Sequence, residues 1–189
     1  MGNFFGHLHT VCRHRRLVRQ GCFRMGLYWQ GLTHDLSKFS PSEFLTGIHY
    51  YQGTRSPNTA EREERGWSEA WMHHKGRNRH HWEYWTDLDQ KTRTYAPVPM
   101  PQKYLAEMVA DRIAACKTYE GSSYTDASAL RYLERSNESR LMHPETTRTL
   151  RFLLTMLCKR GEAQTLRYIR LHLKEKLPFC EPDESAARP

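Results

Sequence analysis

The sequence lacks the features of membrane-bound, secreted and disulfide-stabilised proteins. It contains no apolar run of the roughly 18 residues that a membrane-spanning helix needs. Its start, Met-Gly-Asn-Phe-Phe, has no long apolar segment like that of a secretory leader. The five cysteines include no CxxC pair, which argues against a zinc ribbon or a disulfide framework. We therefore expect a cytoplasmic protein whose cysteines are reduced and mostly buried.

Acidic residues are missing from residues 1–34, which carry five arginines. Residues 131–176 are also basic, with eleven Lys or Arg against five acids, and the formal net charge of the chain is +8. A basic surface suits a phosphorylated small molecule, a nucleotide or a nucleic acid. The alternative interpretation is that these charges form ordinary solvated helix faces.

Strand-like alternation and internal repeats are also missing, whereas helical spacing of apolar residues is common. A length of 189 residues fits one domain. The sequence therefore predicts an all-α, single-domain bundle of about six or seven helices over residues 1–177, followed by a polar tail over 178–189. The predicted helices cover residues 3–26, 41–51, 102–120, 125–136, 144–161 and 162–177.

The remaining segments are predicted to be connections, apart from one ambiguous stretch. Residues 52–66 and 86–101 are polar and read as loops, and Gly26 to Gly31 reads as a short connection. Residues 67–85 have helical spacing, but Gly76 weakens a continuous helix. Before the second helix, Ser40 is expected to be the N-cap, and Glu43 is where a capping box places its carboxylate. We prefer that capping role for Glu43 over a catalytic one.

His34 and Asp35 are adjacent, and Lys38 follows three residues later. Such a pair presents one imidazole and one carboxylate to a metal ion. His14 lies within the apolar stripe of the first predicted helix, so it is expected to point inward. Asp111 lies among alanines on a largely apolar helix, where a carboxylate is unfavourable unless a cation meets it.

Four of the eleven histidines fall within residues 73–81. If that stretch is helical, His74, Asn78 and His81 share one face, and His73 shares the neighbouring face with His80. We predict His74, with either His80 or His81, as metal ligands. Asn78 is either a cap or turn residue, or it orients a ligand or the substrate.

The candidate ligands are imidazoles and carboxylates, with no thiolate. This set suits Fe, Mn, Zn, Co or Ni, and Mg at the oxygen side. Six or seven such groups suggest two divalent ions, with Asp35 placed to bridge them. A metal pair can hold an anion and generate a hydroxide near neutral pH, which suits phosphate-ester hydrolysis.

The order His … His-Asp … Asp resembles the HD-domain superfamily of metal-dependent phosphohydrolases. His-Asp-x-x-Lys with additional histidines resembles its two-metal members, which include cyclic-dinucleotide phosphodiesterases and di-iron oxygenases that cleave inositol or phosphonates. The resemblance implies that the second metal is held by histidines of 73–81 and that Lys38 meets a substrate phosphate or hydroxyl. It implies that the core ligands are His14, His34, Asp35 and Asp111. The alternative for Lys38 is a salt bridge to Asp35 or Glu43.

Three longer stretches, HDLSKFSPSEF, AWMHHKGRNRHHWEYW and EMVADRIAA, resemble an uncharacterised bacterial and phage family with a domain of unknown function. That resemblance covers roughly residues 10–120 and implies no activity. The chain departs from two-metal HD proteins because His74 and His81 are only seven residues apart. Either one helix supplies both, or His49 is used instead, or only one metal binds.

Three functional hypotheses follow. The first is a hydrolase of a phosphorylated, nucleotide-like substrate, with metal-bound water as nucleophile and Asp35, Lys38 and Asn78 as catalytic residues. In this hypothesis Arg77, Arg79 or the arginines of the first helix steer the anion. The second is a di-iron oxygenase that uses the same ligands. The third is a non-enzymatic basic protein that binds nucleic acid, in which the histidines are structural.

Overall fold

The computed structural model describes residues 2–180, with side chains described from residue 3. Within this range, nine α-helices and one two-stranded sheet form a single all-α bundle, so the predicted fold class is confirmed. The additional helices are short. The helices are α1 (Gly2–Arg24), α2 (Tyr28–Thr33), α3 (Pro41–His49), α4 (Pro57–Arg65), α5 (Glu69–Lys75), α6 (Gln102–Glu120), α7 (Ser128–Arg135), α8 (Glu138–Leu141) and α9 (Pro144–Glu175).

The core lies between α1, α6 and α9, whose apolar residues recur at helical spacing. Helices α1 and α6 approach closely at Gly21, where a Cβ atom would lie 3.2 Å from the Cβ of Ala110. This contact fixes the two long helices that carry the first half of the candidate site. The central buried side chains include Val18, Cys22, Leu105, Val109, Leu150, Leu153, Leu154 and Leu157.

Helix α3 begins as predicted. The hydroxyl of Ser40 accepts a hydrogen bond from the backbone N–H of Glu43, and Pro41 occupies the first turn. The prediction of a loop over residues 52–66 was wrong, because it contains α4. A buried carboxylate stabilises this polar helix: Glu61 is fully buried and accepts hydrogen bonds from Ser68, at 2.5 Å, and Arg65, at 3.2 Å.

The segment after α4 is less regular than helical spacing suggested. Within residues 67–85 the α-helix extends only over Glu69–Lys75 and ends at Gly76, after which the chain turns. The predicted loop over 86–101 contains an antiparallel hairpin, β1 (Thr86–Leu88) with β2 (Tyr95–Pro97), in which Asp87 pairs with Ala96. The connection predicted between Gly26 and Gly31 is also partly helical, since α2 begins at Tyr28.

Helix α9 contains the predicted stop at Gly161, whose φ of 78° and ψ of 165° are not helical. Two helical segments therefore meet at this glycine, which adopts a positive φ without a Cβ clash. The chain stays packed beyond α9, because Phe179 is buried in the core and the Tyr168 hydroxyl donates to the carbonyl of Cys180. The rest of the predicted tail, 181–189, lies outside the described residues.

The structure bears on two predictions, the lack of a membrane-spanning helix and the burial of the cysteines. No helix within residues 2–180 is long and apolar enough to cross a membrane. The expectation that the cysteines are mostly buried was wrong: Cys12, Cys158 and Cys180 are exposed, and only Cys22 is fully buried. All five thiols are free. The exposed cysteines lie on the outer faces of α1 and α9 and in the segment after α9. These positions lie outside the apolar stripes of the helices.

Candidate metal centre

The backbone reverses sharply at His34 and Asp35, immediately after α2. His34 has φ −48° and ψ 127°, whereas Asp35 has a left-handed conformation with φ 52° and ψ 29°. This conformation costs roughly 1–2 kcal/mol for an L-residue, although Asp adopts it more readily than most. It turns both side chains inward, so that His34 is 2% exposed and Asp35 0% exposed. Arg15 supports the turn by donating from Nε to the carbonyl of His34 at 2.8 Å.

Three side chains, those of His14, His34 and Asp111, converge on one side of Asp35, and we call these four residues site A. The Nε2 atoms of His14 and His34 lie 3.4 Å apart. Asp111 Oδ1 lies 3.0 Å from His14 Nε2 and 3.4 Å from His34 Nε2. Asp35 Oδ2 lies 3.4 Å from His14 Nε2 and 3.3 Å from His34 Nε2.

These separations match a metal coordination shell. Metal–nitrogen bonds of about 2.0–2.1 Å place ligand atoms about 3.3–3.4 Å apart in a tetrahedron and about 2.9 Å apart in an octahedron. The separations in site A run from 3.0 to 3.4 Å. The predicted ligand set His14, His34, Asp35 and Asp111 therefore forms one compact group that could hold a divalent ion.

A second group, site B, lies on the other side of Asp35 and consists of Asp35, His74, His80 and His81. Asp35 Oδ1 lies 3.3 Å from His74 Nε2 and 3.4 Å from His80 Nε2. One ligand atom from each of the four residues lies within 4.8 Å of the others. Within the described residues, the buried Nε2 atoms of His80 and His81 have no hydrogen-bond partner. Such orphaned nitrogens fit a metal ligand role.

Asp35 belongs to both groups, with Oδ2 in site A and Oδ1 in site B. Neither oxygen makes a hydrogen bond to another described residue, although the Lys38 ammonium forms an ion pair with Oδ2 at 2.6 Å. Burial would raise the pKa of Asp35, but His34, Lys38 and His74 together hold it well below its ordinary value. Asp35 is therefore a buried carboxylate anion with one oxygen facing each group.

Two further carboxylates orient the histidines by contacting their Nδ1 atoms, on the side of each ring that faces away from Asp35. Glu107 Oε1 lies 2.9 Å from His34 Nδ1 and 3.2 Å from His80 Nδ1. Glu43 Oε2 lies 2.8 Å from His74 Nδ1, and its Oε1 lies 2.6 Å from the Nδ1 of His73. A carboxylate at Nδ1 favours the tautomer that carries its proton there. The Nε2 atoms of His34, His74 and His80 face Asp35 and are the nitrogens that a metal could bind.

These two glutamates were missed as site residues. Ser40 does cap α3, but the carboxylate of Glu43 contacts His73 and His74 rather than completing a capping box. Glu107 lies one helical turn before Asp111, within the stretch EMVADRIAA, and is 5% exposed. A carboxylate four residues before an inward-facing Asp on the same helix face was the signal that could have identified it.

The histidine stretch reaches the site by a route that differs from the predicted one. His74, Asn78 and His81 do not share a helix, because α5 ends at Lys75. The turn after Gly76 instead brings His80 and His81 to Asp35 together, so both join His74. His49 is exposed and packs against Tyr50, outside both groups.

Other predicted residues lie around the site in different ways. Asn78 donates from Nδ2 to Ser37 Oγ and to the carbonyl of His74, both at 2.8 Å, which are the contacts of a turn residue next to site B. Lys38 lies directly on site A. Arg77 donates to the carbonyl of His73 at 3.3 Å, and Arg79 donates to the Tyr104 hydroxyl at 3.0 Å; both are exposed.

Proton occupancy differs between two of the histidines. Burial would lower the pKa of His34, but Asp35, Asp111 and Glu107 raise it well above its ordinary value. Burial lowers the pKa of His81 well below its ordinary value, and the adjacent His80 and His74 lower it further. At neutral pH His34 therefore carries a proton that a metal must displace, whereas His81 is neutral and ready to bind.

Comparison with known proteins gives a family but no activity. The model of a family of unknown function, DUF5662, matches residues 3–156. No curated protein and no solved structure matches the chain. Because the match covers most of the chain, the protein belongs to the DUF5662 family, in agreement with the resemblance to an uncharacterised family.

Proposed function

We propose that this DUF5662 protein is a two-metal hydrolase of a phosphorylated, nucleotide-like substrate. The observation that carries the proposal is the position of Asp35. Its two buried oxygens face separate groups of imidazoles and carboxylates, and the ligand atoms of each group lie within 4.8 Å of one another. Two divalent ions bridged by one carboxylate are a common arrangement for displacement at phosphorus.

The proposed metal ligands belong to two groups that share Asp35. Site A would be held by His14, His34 and Asp111, site B by His74, His80 and His81, with Asp35 shared. A bound metal pair would supply Lewis acidity and an activated water for attack on the phosphoester. The chain itself orients the imidazoles through Glu43 and Glu107, so the ligands need little rearrangement on metal binding.

Lys38 gives the site a fixed positive charge at its more open side. Its side chain is 30% exposed, whereas that of Asp35 is 1% exposed. Burial would lower the pKa of Lys38, but Asp35 and Asp111 raise it, so the ammonium stays charged. An ammonium here can bind a substrate phosphate and offset negative charge that develops in the transition state. This position supports the role that the resemblance implies for Lys38.

The substrate class rests on charge. The formal net charge of +8 favours an anionic substrate, and Arg77 and Arg79 are exposed on the turn that carries the site B histidines. They are suited to steering a phosphorylated molecule towards the metals. Arg15, in contrast, holds the backbone of His34 and lies 5.1 Å from the centre of the Phe39 ring, which makes it structural.

The ligand order and the shared aspartate support a relationship to the two-metal proteins of the HD-domain superfamily. A second candidate function comes from the same relationship. Site B offers three imidazoles and one carboxylate, a nitrogen-rich set that suits ferrous iron. A di-iron oxygenase is therefore the alternative use of this centre.

The test is an activity panel with a reloaded protein. Metal-free protein is supplied separately with Mn, Co, Ni or Mg and assayed on phosphomonoesters, phosphodiesters and cyclic nucleotides. Asp35→Asn and His34→Ala are the inactive variants. Glu61→Gln is the matched control, because Glu61 is an equally buried carboxylate that contacts neither site. We expect hydrolysis by wild type and Glu61→Gln and none by the other two.

Each failure has a distinct meaning. Metal uptake without cleavage of any phosphoester would contradict the hydrolase. An iron-loaded sample that consumes oxygen and shows an iron absorption band would favour the oxygenase instead. Nucleic-acid binding that is unchanged by Asp35→Asn, in a wild type that takes up no metal, would favour the basic binding protein with structural histidines.

A further inference from the structure

Among the described residues, Glu107 is the one carboxylate that contacts the Nδ1 atom of a histidine from each site. We infer that Glu107 sets the metal affinity of site A and site B together, as a positioning residue shared by the two. The inference rests on the two-metal part of the proposed function. It goes beyond the ligand sets, because Glu107 itself binds neither of the two ions.

The geometry forms a closed ring of contacts. Glu107 Oε1 lies 2.9 Å from His34 Nδ1 and 3.2 Å from His80 Nδ1. At the opposite ends of those rings, His34 Nε2 lies 3.3 Å from Asp35 Oδ2 and His80 Nε2 lies 3.4 Å from Asp35 Oδ1. The two imidazole rings pack against each other in a tilted arrangement, with centroids 4.3 Å apart and an interplanar angle of 36°. One carboxylate oxygen therefore orients one ligand of each site.

Glu43 provides the contrast, since it serves one site only. Its two oxygens bind His74, a ligand of site B, and His73, which belongs to neither site. Glu43 and Glu107 are both buried, at 6% and 5% exposure, and both accept from two imidazoles. They differ in the number of sites that they contact: Glu107 contacts one histidine of each site, whereas Glu43 contacts a histidine of site B only. This difference makes Glu43 a matched control.

The physical effect of Glu107 has two parts. It holds the Nδ1 protons of His34 and His80, so that both Nε2 atoms face Asp35, and its negative charge offsets the two metal charges. Removal of a group that orients a metal ligand typically lowers metal affinity by about 10–100-fold. Because both rings lose the same partner, both sites are expected to weaken, whereas loss of Glu43 should weaken site B alone.

A different reading of the same contacts is that His34, His80 and Glu107 bind an ion of their own, since their ligand atoms also lie within 4.8 Å of one another. The distances of 2.9 and 3.2 Å between Glu107 Oε1 and the two Nδ1 atoms fit N–H···O hydrogen bonds. An ion there would need a lone pair on each Nδ1, whereas in these hydrogen bonds each Nδ1 carries the donated proton. The hydrogen-bonded reading is therefore preferred.

The experiment measures each site by itself. His81→Ala leaves site A intact, and His14→Ala leaves site B intact. Glu107→Gln or Glu43→Gln is then added to each background, and Co²⁺ affinity is measured by calorimetry and by the visible absorption of bound cobalt. We expect Glu107→Gln to lower the affinity about 10–100-fold in both backgrounds. Glu43→Gln should lower it only in the His14→Ala background.

Circular dichroism checks the fold of every variant, and Glu107→Asp replaces Glu107→Gln if the latter does not fold, since the shorter side chain cannot reach both rings. A loss confined to one background, or three cobalt ions per wild-type chain, would overturn the inference while leaving the two-metal proposal standing. Fewer than two ions in wild type would overturn the two-metal proposal and the inference with it.

Discussion

Site A and site B share Asp35 but are built in different ways. His14 and Asp111 of site A lie within the long helices α1 and α6, which pack closely at Gly21 and Ala110. Site B takes its three histidines from one short stretch, and two of them lie in a turn beyond the end of α5. Site A therefore depends on helix packing, whereas site B depends on side-chain hydrogen bonds that hold a turn.

The two sites should be sensitive to different mutations. Two candidate ligands of site A, His14 and Asp111, are fixed by the packing of long helices, and Glu107 orients the third, His34. Glu43 holds His74 at the end of α5, Asn78 holds the turn that follows, and Trp71 packs against that turn, with its ring centroid 4.7 Å from that of His81. Loss of one such contact should weaken site B without unfolding the protein.

Asp35→Asn is expected to have the largest effect, because it removes the shared ligand. The amide keeps the size of the side chain but loses the charge that both sites use. Metal content should fall from two ions to nearly none, with affinity reduced by more than the roughly 100-fold range of an orienting residue. Elemental analysis of protein dialysed against a fixed metal concentration measures this. A variant that retains one tightly bound ion would show that Asp35 does not bridge.

Removal of one ligand from each side should separate the sites. His14→Ala is expected to leave the site B ion, and His81→Ala the site A ion, so each variant binds one ion per chain. Magnetic coupling between paired Mn²⁺ or Co²⁺ ions should disappear in both. Resonance spectra of the loaded variants give the answer. Loss of both ions from either variant would mean that the two sites cannot exist independently.

Metal affinity should increase with pH, chiefly through site A. The pKa of His34 is raised well above its ordinary value, so a proton occupies this ligand at neutral pH and competes with the metal. Raising the pH removes that proton, and affinity should increase by up to about tenfold per pH unit for each proton displaced. Calorimetry in buffers of different ionisation enthalpy counts the released protons. No proton release at pH 7 would contradict this prediction.

The smallest effects should distinguish packing from local hydrogen bonding. Asn78→Ala removes the donors to Ser37 and to the carbonyl of His74, and we expect about tenfold weaker metal binding at site B alone.

Gly21→Val crowds Ala110 and should lower the free energy of unfolding by about 1–3 kcal/mol while weakening site A more than site B. Thermal unfolding and site-resolved metal titrations measure both. If each variant weakened metal binding at the two sites equally, the proposed contrast between helix packing at site A and local hydrogen bonding at site B would be wrong.

The same contrast explains what the sequence could predict. His14 and Asp111 were identifiable because helical spacing placed them on inward faces of α1 and α6. His80 and His81 were identifiable by composition, but their joint use was not, because it depends on a turn after Gly76 that has no regular periodicity. Helix α4 was missed because its stability depends on the buried carboxylate of Glu61, which sequence composition counts as polar surface. Glu43 and Glu107 were missed because a carboxylate facing an imidazole is a tertiary contact.

The most direct measurement is the metal content of the wild-type chain after reconstitution and removal of free ions, combined with a resonance spectrum of the bound pair. We predict two divalent ions per chain with magnetic coupling through a shared carboxylate, and loss of both ions in Asp35→Asn. One ion per chain, two uncoupled ions or no bound metal would contradict the bridged centre.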